Sequence, residues 1–147
     1  MNRRNAIANA SAVIVAALGT AALAQEHDHS KMMGASGGKY QLLADTTADC
    51  VAKGQACIAH CLILMADGDK EMGACAKAAN QMLALCTALQ SLANQQSSLV
   101  PALAKTALEA CQLCEKECRK HEKHHATCKA CADSCAACIK QCKAVAA

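Results

Sequence analysis

The chain has no phenylalanine and no tryptophan, and Tyr40 is its only aromatic residue. Strands draw on aromatic and β-branched side chains, so this scarcity argues against a sheet. It also limits the core, which has to be narrow and built from Leu, Ala, Met and Cys. Proline occurs once, at Pro101, and glycine seven times among 147 residues. With so few helix breakers, long uninterrupted helices are expected. A large excess of charge is missing too. Apart from Arg3 and Arg4, basic and acidic residues nearly balance, and nothing in that balance points to nucleic acid or an anionic membrane as a partner. The length suits one domain.

What the chain has in abundance is cysteine, 13 in all. Eight lie between Cys111 and Cys142. Cys128, Cys131, Cys135, Cys138 and Cys142 form one series at spacings of three and four, and on a helix they fall within an arc of about 80°. Cys111, Cys114 and Cys118 form a second series. Upstream, Cys50, Cys57 and Cys61 share a narrow seam that Leu43 and Leu64 extend by heptads. Cys75 and Cys86 share another, with Met72, Ala79, Met82, Leu83 and Leu89 on the same side. A soluble bundle helix normally carries leucine there. Met82, deep among leucines, reads as core.

The pattern predicts helices over about 40–65, 70–95, from about 98 to 120, and 127–145. Asp67-Gly68-Asp69, residues 95–98 and residues 121–126 form the turns. Ser98 is the expected N-cap of the third helix, with Pro101 in its first turn, where a missing N–H is tolerated. Four amphipathic helices joined by short turns predict an all-α, antiparallel up-down four-helix bundle with a cysteine-lined core. The first and third turns then share one end. That end collects His60, Met65, Met72, His121, His124 and His125 beside Cys61, Cys75, Cys118 and Cys128. The other end, an apolar plug, collects Leu42, Leu43, Leu92, Leu99, Val100, Leu103 and Val145. Metal is expected to enter at the His/Met end. Spacing alone leaves His60 open between an entry ligand and a helix-edge residue. Met65 and Met72, commonly core fillers, read as entry ligands by their place beside it. His121, His124 and His125 read as a solvated turn, and Glu115, Lys116, Glu117, Lys120, Lys129 and Lys140 as a solvated outer face.

The N-terminus reads as a targeting segment. The Arg3-Arg4 pair, an apolar run over 6–23 and Ala22-Leu23-Ala24 predict a signal peptide over 1–24, of twin-arginine type, and hence export to the periplasm or another extracytoplasmic compartment. Residues 25–39 form a polar, glycine-rich tail expected to be flexible, and 40–147 the bundle. Cleavage after Ala24 would leave His27 third in the chain. An amine, two amide nitrogens and an imidazole there suit Cu(II), though a merely solvated tail is the commoner outcome.

Export normally turns many cysteines into disulfides. However, helical neighbours at i and i+4 hold their Cβ atoms about 5–6 Å apart, and a disulfide requires about 3.5–4.5 Å. Two sulfurs at that spacing lean readily over one metal, since two bonds of about 2.3 Å span about 4.6 Å. Thiolates select Cu(I), zinc or iron–sulfur clusters. Zinc and iron–sulfur sites draw compact sets of cysteines around one centre. Here Cys128 to Cys142 cover about 21 Å of helix axis, a line of sites. Cu(I) needs as few as two sulfurs, and one Cu(I) per thiolate is neutral, which matters because buried uncompensated charge is costly. The metal set is therefore Cys50, Cys57, Cys61, Cys75, Cys86, Cys111, Cys114, Cys118, Cys128, Cys131, Cys135, Cys138 and Cys142, with His60, Met65 and Met72 at the entrance. Multiple Cu(I) ions are the expected load, with zinc or another soft metal as the alternative. A redox enzyme would need one or two exposed, low-pKa cysteines, whereas these stripes read as buried and redundant, so no catalytic residues are assigned.

These repeated Cys-x2-Cys and Cys-x3-Cys steps on helices, with the apparent twin-arginine signal, resemble the bacterial copper storage proteins of methane-oxidising bacteria across the whole mature bundle. The resemblance implies a tetramer of four-helix bundles storing up to about one Cu(I) per thiol. It also implies a copper-dependent enzyme or chaperone as recipient, and a His with several Met residues at the open end. His60, Met65 and Met72 fit that pattern, whereas Leu64 and Asp67 stand where further Met ligands are expected. A detoxification buffer for copper or zinc would use the same chemistry.

Overall fold

The computed structural model describes residues 37–146. The expected signal peptide and most of the expected tail lie outside these residues. Four helices follow in order, α1 (Gln41–Ala66), α2 (Met72–Asn94), α3 (Val100–Arg119) and α4 (Ala126–Ala146). No strand occurs among the described residues. Helix α1 packs on α2 and α4, and α3 packs on the same two, the arrangement of an up-down bundle with short turns.

Each helix buries a seam at alternating steps of three and four. On α1 it runs Leu43, Thr47, Cys50, Gly54, Cys57, Cys61, and on α2 Cys75, Ala79, Met82, Cys86, Leu89, Ala93. On α3 it runs Val100, Ala104, Ala107, Cys111, Cys114, Cys118, and on α4 the five cysteines from Cys128 to Cys142. This is the heptad seam of coiled-coil packing, and it places sulfur where leucine usually stands. Thr47, a polar member of the seam, donates to the Leu43 carbonyl at 2.8 Å and the Ala44 carbonyl at 2.9 Å. Gly54 lets α1 and α2 approach closely, since a Cβ there would lie 2.6 Å from Met82 Cε and 2.9 Å from Leu83 Cδ2.

The turns form as their residues require. Gly68 takes φ +100°, and Asp69 N–H reaches back to the Leu64 carbonyl at 3.0 Å, closing α1. The Asp69 carboxylate then accepts from Glu71 N–H at 3.0 Å at the approach to α2. The second turn has Gln96 at φ +53° and Ser97 N–H on the Leu92 carbonyl at 3.0 Å. Ser98 does not cap α3. Leu99 occupies the N-cap position, and Ser97 Oγ accepts from its N–H at 3.2 Å. Pro101 lies in the first turn of α3 as expected.

The apolar end differs from expectation in two places. Leu43 and Val100 are buried and Leu92, Leu103 and Val145 pack on the core, but Leu42 and Leu99 are 62% and 61% exposed. Each adjoins a seam position, one residue before Leu43 and Val100, so the helical turn carries it outward. Leu89 is fully buried. Leu89→Ala is therefore expected to lower the stability of the reduced, metal-free protein by about 2–5 kcal/mol. Leu99→Ala should stay within about 0.5 kcal/mol. Urea unfolding of the two variants checks both.

Candidate metal centre

All 13 cysteines are free, and every one is 0% exposed. Neighbouring sulfurs stand at van der Waals and weak hydrogen-bond distances. Cys75 meets Cys118 at 3.4 Å, Cys86 meets Cys111 at 3.5 Å, Cys114 meets Cys131 at 3.7 Å and Cys50 meets Cys135 at 3.7 Å. The diagonal helices do not touch through their backbones, yet their thiols meet across the centre, Cys57 with Cys118 at 3.8 Å and Cys86 with Cys138 at 4.0 Å.

Four groups have all their sulfurs within 4.8 Å of one another. Cys57, Cys61, Cys75 and Cys128 form the group nearest the first and third turns. Cys57, Cys118 and Cys131 form the next, then Cys114, Cys131 and Cys135, then Cys50, Cys86, Cys111 and Cys138. Shared members join the first three groups. The 3.7 Å contact of Cys135 with Cys50 joins the fourth, and Cys142 follows at 3.9 Å from Cys138. The thirteen sulfurs thus make one continuous lane with no step longer than 4.8 Å. A linear two-sulfur site spans about 4.6 Å, so metal could pass along it by exchanging one sulfur at a time.

The interior holds no cation to match thiolates. Among the described residues the buried polar side chains are Thr47 and Ser134, both uncharged. Burial therefore raises two of the thiols at the mouth, Cys61 and Cys128. Cys61 is pushed up to about 12, first by burial and then by the charge of Cys75. Cys128 is pushed up to about 11, again first by burial. Where thiols of the mouth group meet those of the next, hydrogen bonding divides donors from acceptors. Cys118 is raised, foremost by its bond to Cys114, and Cys75 is lowered, foremost by the bond from Cys118.

Residues from the two turns and their flanking helices surround the mouth. Met72 is 1% exposed and lies three residues before Cys75. It opens on a cleft of about 410 Å³ also lined by His121, His124, His125, Asp69, Glu71 and Glu117. His60 Nε2 and His125 Nδ1 are 3.0 Å apart, one donating and the other accepting. His121 follows, its ring centre 6.4 Å from that of His125. The reading of this turn as solvated holds for exposed His124, while His121 and His125 are half-buried. Spacing within the turn gave no signal for His125, since only the pairing of α1 with α4 brings it to His60. Met65, expected at the entrance, is 40% exposed, and its methyl lies 3.9 Å from where a Cβ on Gly73 would stand. Arg119 ties this end together, reaching Glu122 at 2.8 Å and Asp133 of α4 at 2.6 Å.

Sequence reasoning assigned Met82 to the core, and it is fully buried. Its sulfur nevertheless accepts from the Cys50 thiol at 3.4 Å.

The sign of the pH dependence follows from the mouth thiols. Both are raised in the folded state above the ordinary 9.0. Their contribution to stability is complete below about pH 9 and is lost as pH rises through 11 to 12. Thermal unfolding of the metal-free protein should lose at least about 2 kcal/mol over that span. Cys61→Ala/Cys128→Ala, which removes the two raised thiols of that group, should show a shallower alkaline decline.

The family model described as copper storage protein matches residues 36–147. No curated protein gives a significant match.

Proposed function

The chain belongs to the copper storage protein family, and from that premise we propose that it stores many Cu(I) ions on thiolates inside the bundle. One observation carries this reading. Thirteen thiols are 0% exposed and share their interior with no buried cation among the described residues. Charge decides which metal suits such an interior. When Cu(I) replaces a thiol proton, one positive charge leaves and one enters, and the core stays neutral. A divalent ion on four thiolates leaves two net negative charges, and two such sites leave four, in a place where unpaired charge costs several kcal/mol per ion.

Loading and release run through the His/Met end. Met72 and His125 line the cleft, His125 pairs with His60, and His60 and Met72 stand one and three residues before Cys61 and Cys75 of the outermost group. An incoming ion exchanges onto these His and Met side chains, then onto the first thiols, and moves inward while protons move out. Release reverses the exchange toward a stronger acceptor, a copper-dependent enzyme or its chaperone. The role is storage, with no catalytic step. The protein acts outside the cytoplasm, after residues 1–24 have directed export, with 25–39 as the tail and 40–147 as the storage domain. Tetramer assembly is supported by the apolar outer side of α1, where Leu62 and Ile63 are 56% and 63% exposed.

A second reading, a soft-metal detoxification buffer holding zinc, draws on the two four-thiol groups, whose sulfurs all lie within 4.8 Å of one another and suit tetrahedral zinc. Titration separates the metals. The reduced protein, titrated with Cu(I) against a competing chelator, should saturate near its thiol count of 13 and release protons as it fills. Saturation at a few ions would overturn storage in favour of a discrete site. Tighter retention of zinc than of Cu(I) would favour the second reading. His60→Ala should slow loading with little effect on capacity, read by stopped-flow mixing.

A further inference from the structure

The sulfur lane is uneven between the two halves of the bundle. On α3 and α4 thiols follow one another at every three or four residues from the mouth inward. On α1 the seam passes from Cys57 to Cys50 with Gly54 between them, and on α2 from Cys75 to Cys86 with Ala79 and Met82 between them. These stretches cover about 10 Å and about 16 Å of helix axis. Met82 supplies sulfur within that gap. Both its methyl and its sulfur have close neighbours. Its methyl lies 2.6 Å from where a Cβ on Gly54 would stand, so only glycine leaves it this room. Its sulfur lies 3.4 Å from Cys50 Sγ. Cys50 in turn lies 3.7 Å from Cys135, the thiol that links the outer groups to the inner one.

We propose that Met82 is a copper ligand, a neutral thioether station in the thiolate lane shared with Cys50 at the junction of its outer and inner parts. The proposal rests on the reading of the chain as a Cu(I) store. The thioether has no proton to donate, so in the metal-free protein the Cys50 S–H points at the lone pairs that Cu(I) would use. On loading, the Cys50 S–H bond breaks and its proton leaves for solvent. Cu(I) then bonds to the Cys50 thiolate and the Met82 sulfur with no change in oxidation state. One thiolate balances one ion, so the site adds a donor without adding charge. Sulfurs around a three-coordinate ion stand about 4.0 Å apart for bonds of about 2.3 Å. The Met82 sulfur must therefore withdraw by about half an ångström, within reach of a side chain with three rotatable bonds.

The test reads the contact at selenium. In a Met65→Leu/Met72→Leu background grown with selenomethionine and loaded with Cu(I), X-ray absorption at the selenium edge should show copper within bonding distance. The further change Met82→Leu should remove that signal. Leucine matches methionine closely enough in volume to preserve the fold, and circular dichroism checks that it does. Gly54→Ala, which takes the space of the Met82 methyl, should weaken the same signal. If the protein loads copper and Met82→Leu leaves the selenium spectrum unchanged, the proposal is overturned while storage stands. If the protein takes up no copper, the storage reading itself fails.

Discussion

An interior of fully buried thiols, with no buried cation among the described residues, favours exchanges that leave its net charge unchanged, and one proton for one monovalent soft ion is the simplest of these. That constraint organises the rest of the molecule. Thiolates left uncompensated in such a place would be prohibitively costly, and burial accordingly raises Cys61 and Cys128, while a thiolate that neighbouring thiols can hydrogen-bond, such as Cys75, is favoured. A lysine or arginine reaching inward would lower those thiols but would also repel the cargo. The charged side chains are accordingly outside, and Arg119 spends its charge on Glu115, Glu122 and Asp133, clamping the mouth turn to α4.

Helices are what turn many thiols into one lane. A heptad seam delivers an inward side chain every three or four residues, about 5 Å of rise, close to the span of two metal–sulfur bonds. Four seams facing one axis then bring sulfurs from different helices within 3.4 to 4.0 Å. A turn-based site would gather four ligands and stop. The short connections add direction, because they put the first and third turns at one end, where His60, Met72 and His125 gather, and leave Leu43, Ala93 and Val100 to close the other.

The sequence made this architecture unusually legible, for a physical reason. Cysteine at steps of three and four is rare enough that its periodicity marks the buried face directly, and the lack of breakers leaves few places to turn. Asp67-Gly68-Asp69 announced its turn by the left-handed backbone that Gly68 supplies. What remained hidden depends on contacts between helices. His125 looked solvated in its Lys/Glu-rich stretch, and its approach to His60 leaves it half-buried. Leu42 and Leu99 share the hydropathy of their buried neighbours and differ by one step of helical phase. Ser97 displaced Ser98 because the chain leaves α2 through Gln96 in a left-handed conformation, which sets the phase at which α3 begins. Met82 was correctly placed in the core, but its sulfur became visible only through Gly54 and Cys50.

The same seam that makes room for cargo weakens the empty protein. Cysteine buries less apolar area than leucine, and hydrophobic stabilisation follows that area. The side chains that hold the metal-free bundle together are therefore graded along its axis. Tyr40, Leu43, Leu89 and Val100 lie toward the plug end, and mostly thiols and alanines toward the mouth. Local opening draws on the least stable part of a fold, which here is the end where His60, Met72 and His125 gather, the proposed point of metal entry. Each ion bound joins sulfurs from two or more helices and stabilises the closed bundle by mass action. Filling thus tightens what emptiness leaves loose. On the proposed storage role, exchange would be easiest when capacity remains and hardest when the interior is full, a consequence of replacing leucine by sulfur.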